Sequence, residues 1–258
     1  MLDSLYISAT GLQAQQVNVD AISNNLANVN TTAYKSSRVS FEDLLYRAVV
    51  RTSPLLGADA AARVGAGVAV GDTSKNFADG DLKQTGVPLD LALRGAGFFE
   101  LLLPDGSSAF TRNGALQVNK DGLLSTAEGN VIVPQLQIPQ EATQIAVDAT
   151  GHVTATVPGQ TTPVEVGQIE LARFINPAGL NATGNSLYLP TEGSGDPIRG
   201  KPGDAGFGTL TQGFLESSNV KLVDELIGLV IAQRAFEANS KAVQASDELL
   251  SLVNNLRR

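Results

Sequence analysis

One histidine, no cysteine and 26 carboxylate side chains define the reactive chemistry open to this 258-residue chain. Without Cys there is neither a disulfide framework nor a thiolate nucleophile. His152 stands alone in Thr-Gly-His-Val at a turn or strand start. A nucleophilic triad or a histidine-ligated metal site has nothing to build on, so His152 reads as a solvated side chain. The glycines of Val-Gly-Ala-Gly-Val-Ala-Val-Gly, from Val64 to Gly71, lack both the dinucleotide-binding spacing and the Lys-Ser/Thr of a phosphate loop. They read as a connector. Asp79 with Asp81, or Asp148 with a neighbouring acid, are the remaining acid–base candidates. Their places beside glycine or in turn-like stretches make them solvated turn carboxylates. No catalytic residue, cofactor or metal is expected.

The partners allowed by charge are equally restricted. The net charge is −8, with no block of Lys or Arg; nucleic acid and anionic lipid both require a basic footprint. Neither is expected as a partner. No run reaches the 18 or more apolar residues of a membrane span, so direct membrane insertion is not expected. The first basic residue is Lys35, which leaves the amino-terminal segment without the basic start of a cleaved secretory signal. Taken alone, this points to the cytoplasm.

The placement of helix breakers organises the chain. All 11 prolines lie between Pro54 and Pro202, and 24 of the 26 glycines between Gly57 and Gly213; only Gly11 and Gly228 fall outside. Proline removes a backbone donor and glycine costs about 1 kcal/mol in a helix interior. Both ends are therefore free to be long helices, and the middle is not. With 5% aromatic residues, one Met and no Trp, small aliphatic side chains must do most of the packing.

Near the amino terminus Leu5, Leu12, Val19 and Leu26 recur every seven residues, which predicts an amphipathic helix of about seven turns. Asp3 and Ser4 are placed to cap its start, and Asn28, Asn30, Thr31 and Thr32 to end it. The carboxy-terminal segment carries two apolar rows. One is Leu222, Leu229, Phe236, Val243 and Leu250; the other is Ile231, Ala235, Ala238, Ala242, Ala245, Leu249, Leu252 and Leu256. Ile231 and Phe236 fall about 140° apart around a helix. A helix apolar on two sides needs two neighbours, and the amino-terminal helix supplies one. The other lies in the same chain or in another copy. Ser217, Ser218 and Asn219 are cap candidates, with Asp224 and Glu225 near the positive helix end and Arg257 and Arg258 near the negative one.

Between the ends, Asp79-Gly80, Asp105-Gly106 and Asp121-Gly122 are hairpin-type dipeptides. Short β-rich runs surround them: Leu89–Leu93, Phe98–Leu103, Ala109–Thr111, Ala115–Val118, Val131–Val133, Ile145–Val147, Val153–Val157 and Val166–Phe174. This spacing predicts antiparallel β structure. The expected fold is α+β, divided into an amino-terminal helix (1–34), a connector (35–70) with a short ordered piece at Phe41–Val50, a β-rich domain (71–213) and a carboxy-terminal helix (214–258).

Both ends carry a resemblance. Ile-Ser-Asn-Asn-Leu-Ala-Asn-Val-Asn-Thr-Thr-Ala-Tyr-Lys, from Ile22 to Lys35, is similar to the signature of flagellar axial proteins, the rod and hook subunits. Its core is Asn24, Asn25, Leu26, Ala27 and Asn28, followed by Tyr34 and Lys35. The segment Ser218–Leu250 resembles their last helix, through Gln233, Arg234 and the Asn239-Ser240-Lys241 element. FEDLLY, GFFELLLPDGSSAFTRNGALQVNKDGLL and TQGFLESSNV look most like the distal rod branch, which precedes the hook. Ala33 departs from the pattern, because the family commonly has Gly there; a positive φ would strain it.

The resemblance implies a structural subunit whose end helices pair as a coiled-coil-like inner tube beneath an outer β layer. It implies a helical homopolymer whose neighbours are other rod subunits and hook-side axial proteins. The periplasmic and outer-membrane rings would surround it. Export would proceed through the flagellar apparatus without a cleaved signal, to a basal-body rod crossing the periplasm, which reverses the cytoplasmic reading. The alternatives are a proximal rod subunit, which shares the end motifs, and a secreted, non-polymerising β-domain binding module.

Overall fold

The computed structural model describes residues 2–44, 47–50, 61–159 and 162–256. The chain divides into two compact units. The first comprises Met1–Ala27, Ser37–Lys75 and Lys221–Arg258; the second comprises Asn28–Ser36 and Asn76–Val220.

The first unit holds helix α1 (Leu2–Ala27), strands β1 (Ser37–Asp43), β2 (Arg47–Val50), β3 (Ala61–Val64) and β4 (Val68–Lys75), and helix α2 (Leu222–Leu256). At 35 residues α2 is about 50 Å long. The helices run antiparallel: Asn25 bonds to Glu225, while Ile22 approaches Gly228 and Gly11 approaches Asn239. The two glycines left in the helical ends thus both sit where the helices meet. A Cβ on Gly11 would come within 2.9 Å of the Asn239 amide, so Gly there permits close approach at the usual cost in helix propensity.

Strand β1 pairs antiparallel with β4, and β2 with β3. The stretch expected to be a connector therefore contributes paired strands, and Phe41–Val50 divides between β1 and β2, with Leu45 and Tyr46 outside the described residues. The glycine-rich run 64–71 ends β3 and begins β4. Alternation of Val with small residues suits a ribbon better than a phosphate cradle. The ribbon also touches α1, where the Val68 N–H donates to the Thr10 hydroxyl at 3.3 Å.

Two expected caps are corrected. Helix α1 begins at Leu2, so Asp3 and Ser4 lie inside its first turn. Helix α2 takes its first backbone bond from Glu225 to the Lys221 carbonyl, and Ser217, Ser218 and Asn219 precede it by at least two residues. Asn219 is engaged elsewhere, as described below. The end of α1 falls where the polar cluster predicts, with Thr31 bonded to both the carbonyl and the side chain of Asn28. Asp224 and Glu225 occupy the first turn of α2. Arg257 and Arg258 lie outside the described residues.

The second unit contains β5 (Leu82–Gln84), β6 (Leu91–Arg94), β7 (Phe98–Leu102), β8 (Ser108–Thr111), β9 (Leu116–Val118), β10 (Leu124–Thr126), β11 (Val131–Val133) and β12 (Gln144–Val147). It continues through β13 (His152–Thr156), β14 (Val164–Gln168), β15 (Leu171–Arg173), β16 (Asn181–Gly184), β17 (Leu187–Leu189), β18 (Ile198–Gly200), β19 (Thr209–Gln212) and β20 (Phe214–Glu216). All pairings are antiparallel. The largest sheet runs β16-β17-β8-β7-β11-β10-β9, with β15 joining β7 to β18; β12-β13-β14, β6-β19 and β5-β20 are smaller. Residues 214–216, assigned from the sequence to the last helical segment, instead form β20, because they pair with Leu82–Gln84.

Asp105-Gly106 turns β7 into β8 and Asp121-Gly122 turns β9 into β10, both glycines having positive φ. Asp79-Gly80 joins no hairpin, since its groups are held by Arg112 and Glu216. The single run foreseen at Val166–Phe174 is two strands, β14 and β15, in different sheets. Consecutive residues of β7 point to opposite faces. Phe99 and Leu101 enter a core with Leu91, Leu124, Ile132 and Ile169, while Phe98 enters a second cluster with Phe110, Phe174 and Tyr188. Its rings meet edge to face, Phe110 and Phe174 at 4.8 Å between centroids.

Candidate functional site

The carboxylates and the histidine occupy structural positions. Asp148 accepts bonds from the Thr150 N–H and hydroxyl and from the His152 N–H. Burial pushes its carboxyl up, but those bonds outweigh it and hold the group below the usual range. His152 is exposed, with Nδ1 3.3 Å from Glu165. Asp79 departs from the expected solvated turn: Oδ1 receives Arg112 Nη2 at 2.8 Å and Oδ2 receives the Gly95 N–H at 3.0 Å.

The motif residues at the end of α1 and beyond it are brought into two polar networks. In the first unit Asn25 is buried. Its amide donates to the Ser37 carbonyl and to Glu225 Oε1, and its oxygen accepts the Ser37 N–H at 2.8 Å. No aliphatic side chain could meet those three groups, and burial without a partner would cost each of them. The same burial raises the Glu225 carboxyl above its ordinary value, with the Asn25 bond opposing the rise.

In the second unit Lys35 is 0% exposed. Its Nζ donates to Glu216 Oε1 at 2.6 Å and to the Ala78 carbonyl at 2.7 Å. Glu216 Oε2 accepts Arg112 Nε at 2.9 Å, and its Oε1 also accepts the Gly80 N–H. Arg112 continues to the Gly97 carbonyl and to Asp79. Burial lowers the Lys35 pKa, assisted by Arg112 and opposed by Glu216. Asn219 accepts the Ser36 N–H at 2.8 Å and donates to the Asn76 and Ala78 carbonyls. The Tyr-Lys of the first motif, the Thr-Arg-Asn-Gly of the middle and the Glu-Ser-Ser-Asn of the last segment thus meet. Arg112 and Glu216 were not singled out from the sequence, while Asp79 was read as a solvated turn carboxylate and Asn219 as a helix cap. The available signal was Lys35 itself as a fixed element of the first motif, because a lysine that is buried demands an acid.

Ala33 completes this corner. It is fully buried, donates its N–H to the Glu216 carbonyl at 2.8 Å, and has φ of 56°. The position does require the left-handed conformation, and a side chain occupies it.

The remaining candidates lie along the helices. On α1, Leu5, Leu12, Val19 and Leu26 are half-buried, while Ala14, Ile22 and Asn25 are buried. On α2 the side toward α1 carries Gly228, Ala232 and Asn239, with Ala232 only 1% exposed. Of the first row, Leu229, Val243 and Leu250 are half-buried, whereas Leu222 and Phe236 are exposed. Of the second, Ala235 is half-buried and Ala238, Ala242, Ala245 and Leu249 are exposed, with Ile231 at 63%. Gln233, Arg234 and Lys241 are exposed, Arg234 pairing with Glu237 at 2.8 Å; Ser240 is half-buried, as is Asn239. Asn24 and Ala27 are exposed, and Asn28 and Tyr34 half-buried. The far side of α2 therefore presents Val223, Ile227, Val230, Ile231, Leu249 and Leu252, each more than half exposed. No helix among the described residues is long and apolar enough to cross a membrane. An exposed apolar stripe of this length marks an interaction surface.

Comparison with known proteins agrees with this arrangement at three separate places. Residues 5–35 match the flagella basal body rod protein model, residues 92–155 the flagellar hook protein FlgE/F/G D1 domain, and residues 211–256 the flagellar basal body rod FlgEFG protein C-terminal model. The chain is 42% identical to the flagellar basal-body rod protein FlgG of Borreliella burgdorferi over the whole of both chains. It is 41% identical to FlgG of Caulobacter vibrioides over 99% of this chain and 100% of that protein. Similarity to the hook protein FlgE of Helicobacter mustelae is 37%, over 72% of this chain and 42% of that protein. With matches at both ends and the middle, and full-length relatives that are structural rod proteins rather than enzymes, the chain belongs to the FlgG family of flagellar basal-body rod proteins, as a structural subunit of the distal rod.

Proposed function

We propose that copies of this chain assemble through their helices into a stiff hollow shaft that carries torque from motor to hook. Helices α1 and α2 form a coiled-coil-like inner layer, and the β-rich unit forms the outer one. The observation that carries this reading is the far side of α2, where Ile227, Ile231, Leu249 and Leu252 remain more than half exposed although the opposite side is packed on α1. Leaving large aliphatics in water is unfavourable by about 25 cal/mol per Å², and assembly removes that exposure. Stiffness follows from many close contacts along a long helix rather than from one strong bond. A repeated head-to-tail contact with a fixed rotation generates a helical polymer.

The resemblance extends this reading to neighbours and place. Other rod subunits and hook-side axial proteins adjoin the polymer, the periplasmic and outer-membrane rings surround it, and the flagellar export apparatus delivers it to the periplasm without signal cleavage. The test is a pair of substitutions on adjacent residues of α2. Ile231→Asp leaves the monomer folded and abolishes rod assembly and motility, whereas Ala232→Asp unfolds the helix pair. Normal assembly with Ile231→Asp would overturn the proposal.

A further inference from the structure

The first unit carries a second uncharged surface besides the α2 stripe. A groove of about 340 Å³ lies between α1 and the β1–β4 ribbon, lined by Tyr6, Thr10, Gln13, Val17, Val68 and Val70 among others, none of them charged. Asp43, exposed, pairs in register with Val68 and so stands beside it, whereas the preceding Glu42 turns to the other face of the ribbon, over Gly71. On α2 the run from Leu226 to Gln233 is also uncharged. Arg234 follows Ile227 by seven residues, on the same side of the helix; it is 76% exposed and pairs with Glu237 at 2.8 Å.

We propose that the Leu226–Arg234 stripe of one copy seats in the α1/ribbon groove of a second copy, with Arg234 against Asp43. This rests on the assembly reading above and specifies which surfaces meet. Two stripes facing each other would make an isologous contact, which closes as a dimer and cannot propagate. Continued growth needs a different, complementary surface, and the groove supplies one. It is concave and uncharged where the stripe is convex and uncharged, and acidic at one edge where the stripe ends in a base. Asp43 pairs with Val68, whose N–H bonds to Thr10, so the acidic edge lies at the Thr10 level of the groove. Helix α2 of the incoming copy therefore runs antiparallel to α1, with Ile231 opposite Gln13.

The test places a photoreactive side chain at position 13 of the full-length protein and irradiates isolated basal bodies. The expected product is a doubled chain whose adduct maps to the peptide Leu222–Arg234. An adduct on another protein, or on a different segment of this chain, overturns the pairing. Because the chain has no Cys, a second measurement is available if that variant does not assemble. Gln13→Cys and Ile231→Cys chains, mixed and co-assembled, should give disulfide-linked dimers at least about fivefold above either chain alone; efficient self-linking of Ile231→Cys contradicts the heterologous geometry. Arg234→Glu should raise the concentration needed for assembly about tenfold, with recovery on adding Asp43→Lys. Failure of the unmodified chain to sediment as a polymer, in contrast, would overturn the assembly reading itself.

Discussion

Glu216 lies between two buried cations, and its removal leaves both without their acid. Glu216→Ala should lower the unfolding free energy by about 3–5 kcal/mol, the usual cost of breaking a buried pair, read as a shift of the urea midpoint at constant slope. Lys35→Met should cost clearly less, because Arg112 and Glu216 still satisfy each other. Equal losses would show that Lys35 is the dominant partner. At Ala33 the left-handed backbone tolerates a methyl but not a branched side chain. Ala33→Gly should change stability by less than about 1 kcal/mol, since relief of strain is offset by lost packing and a freer unfolded chain, whereas Ala33→Val should destabilise by more than about 2 kcal/mol. These positions differ in how far the sequence could reveal them. The glycine preference at Ala33 was visible as a departure from a motif. Arg112 and Glu216 were hidden, because the bond that joins them to Lys35 spans 181 residues between Lys35 and Glu216 and follows no local period.

A further residue pair sets an acid response. Hydrogen bonding from Arg199 holds the Glu100 carboxyl below its ordinary 4.5, with burial opposing and Ser108 assisting. The folded pKa is depressed, so this stabilisation is fully present above pH 4.5 and is lost as pH falls through the lowered folded value. Arg199→Ala should flatten the acid limb of the stability curve measured by urea titration. An unchanged limb would assign the acid sensitivity to other carboxylates.

At the scale of elements, the helices announced themselves through the exclusion of proline and glycine from both ends, although α1 stops at Ala27, before its polar Asn/Thr cluster and well short of the first proline at Pro54. The side of each helix that packs was less legible. Polar Asn25, Glu225 and Asn239 stand in or beside the helix contact, along with small Gly11, Gly228 and Ala232, whereas large aliphatics such as Ile231 are left outward. A hydrophobic row alone cannot distinguish a face buried within one chain from a face awaiting a neighbour. Strands of three or four residues, such as β16 to β20, have too few positions to display alternation, and the ribbon β1–β4 was concealed by a glycine-rich composition. Glu225 gives an element-level test. Burial raises its pKa, so the folded state prefers the protonated form and its contribution to stability falls as pH rises from 4.5 through the raised folded value. Glu225→Gln keeps an oxygen for Asn25 and should stabilise the helix pair at neutral pH but not at acidic pH; a loss at neutral pH would mean that the charge itself is needed.

At the scale of the molecule, a soluble domain would ordinarily turn the apolar side of a long helix inward, yet α2 is packed on one side and open on the other. The ionic network of the second unit and the Asn25 network of the first hold each unit together, while in the proposed assembly the open face of α2 is left for neighbours. Folding and assembly are therefore separable by mutation. Truncation after Val220 should retain the β-rich unit, because β20 and Glu216 remain, and should remove assembly. Truncation after Gly213 should also weaken the fold.

The central claim is that assembly covers the exposed side of α2. In a chain with no native Cys, Ile231→Cys provides a single reactive thiol at a position 63% exposed in the monomer. Maleimide labelling of that thiol should be rapid in the monomer and strongly suppressed in assembled rods, with a cysteine introduced at exposed Glu128 labelled in both. Equal labelling of Ile231→Cys in monomer and rod would contradict the account.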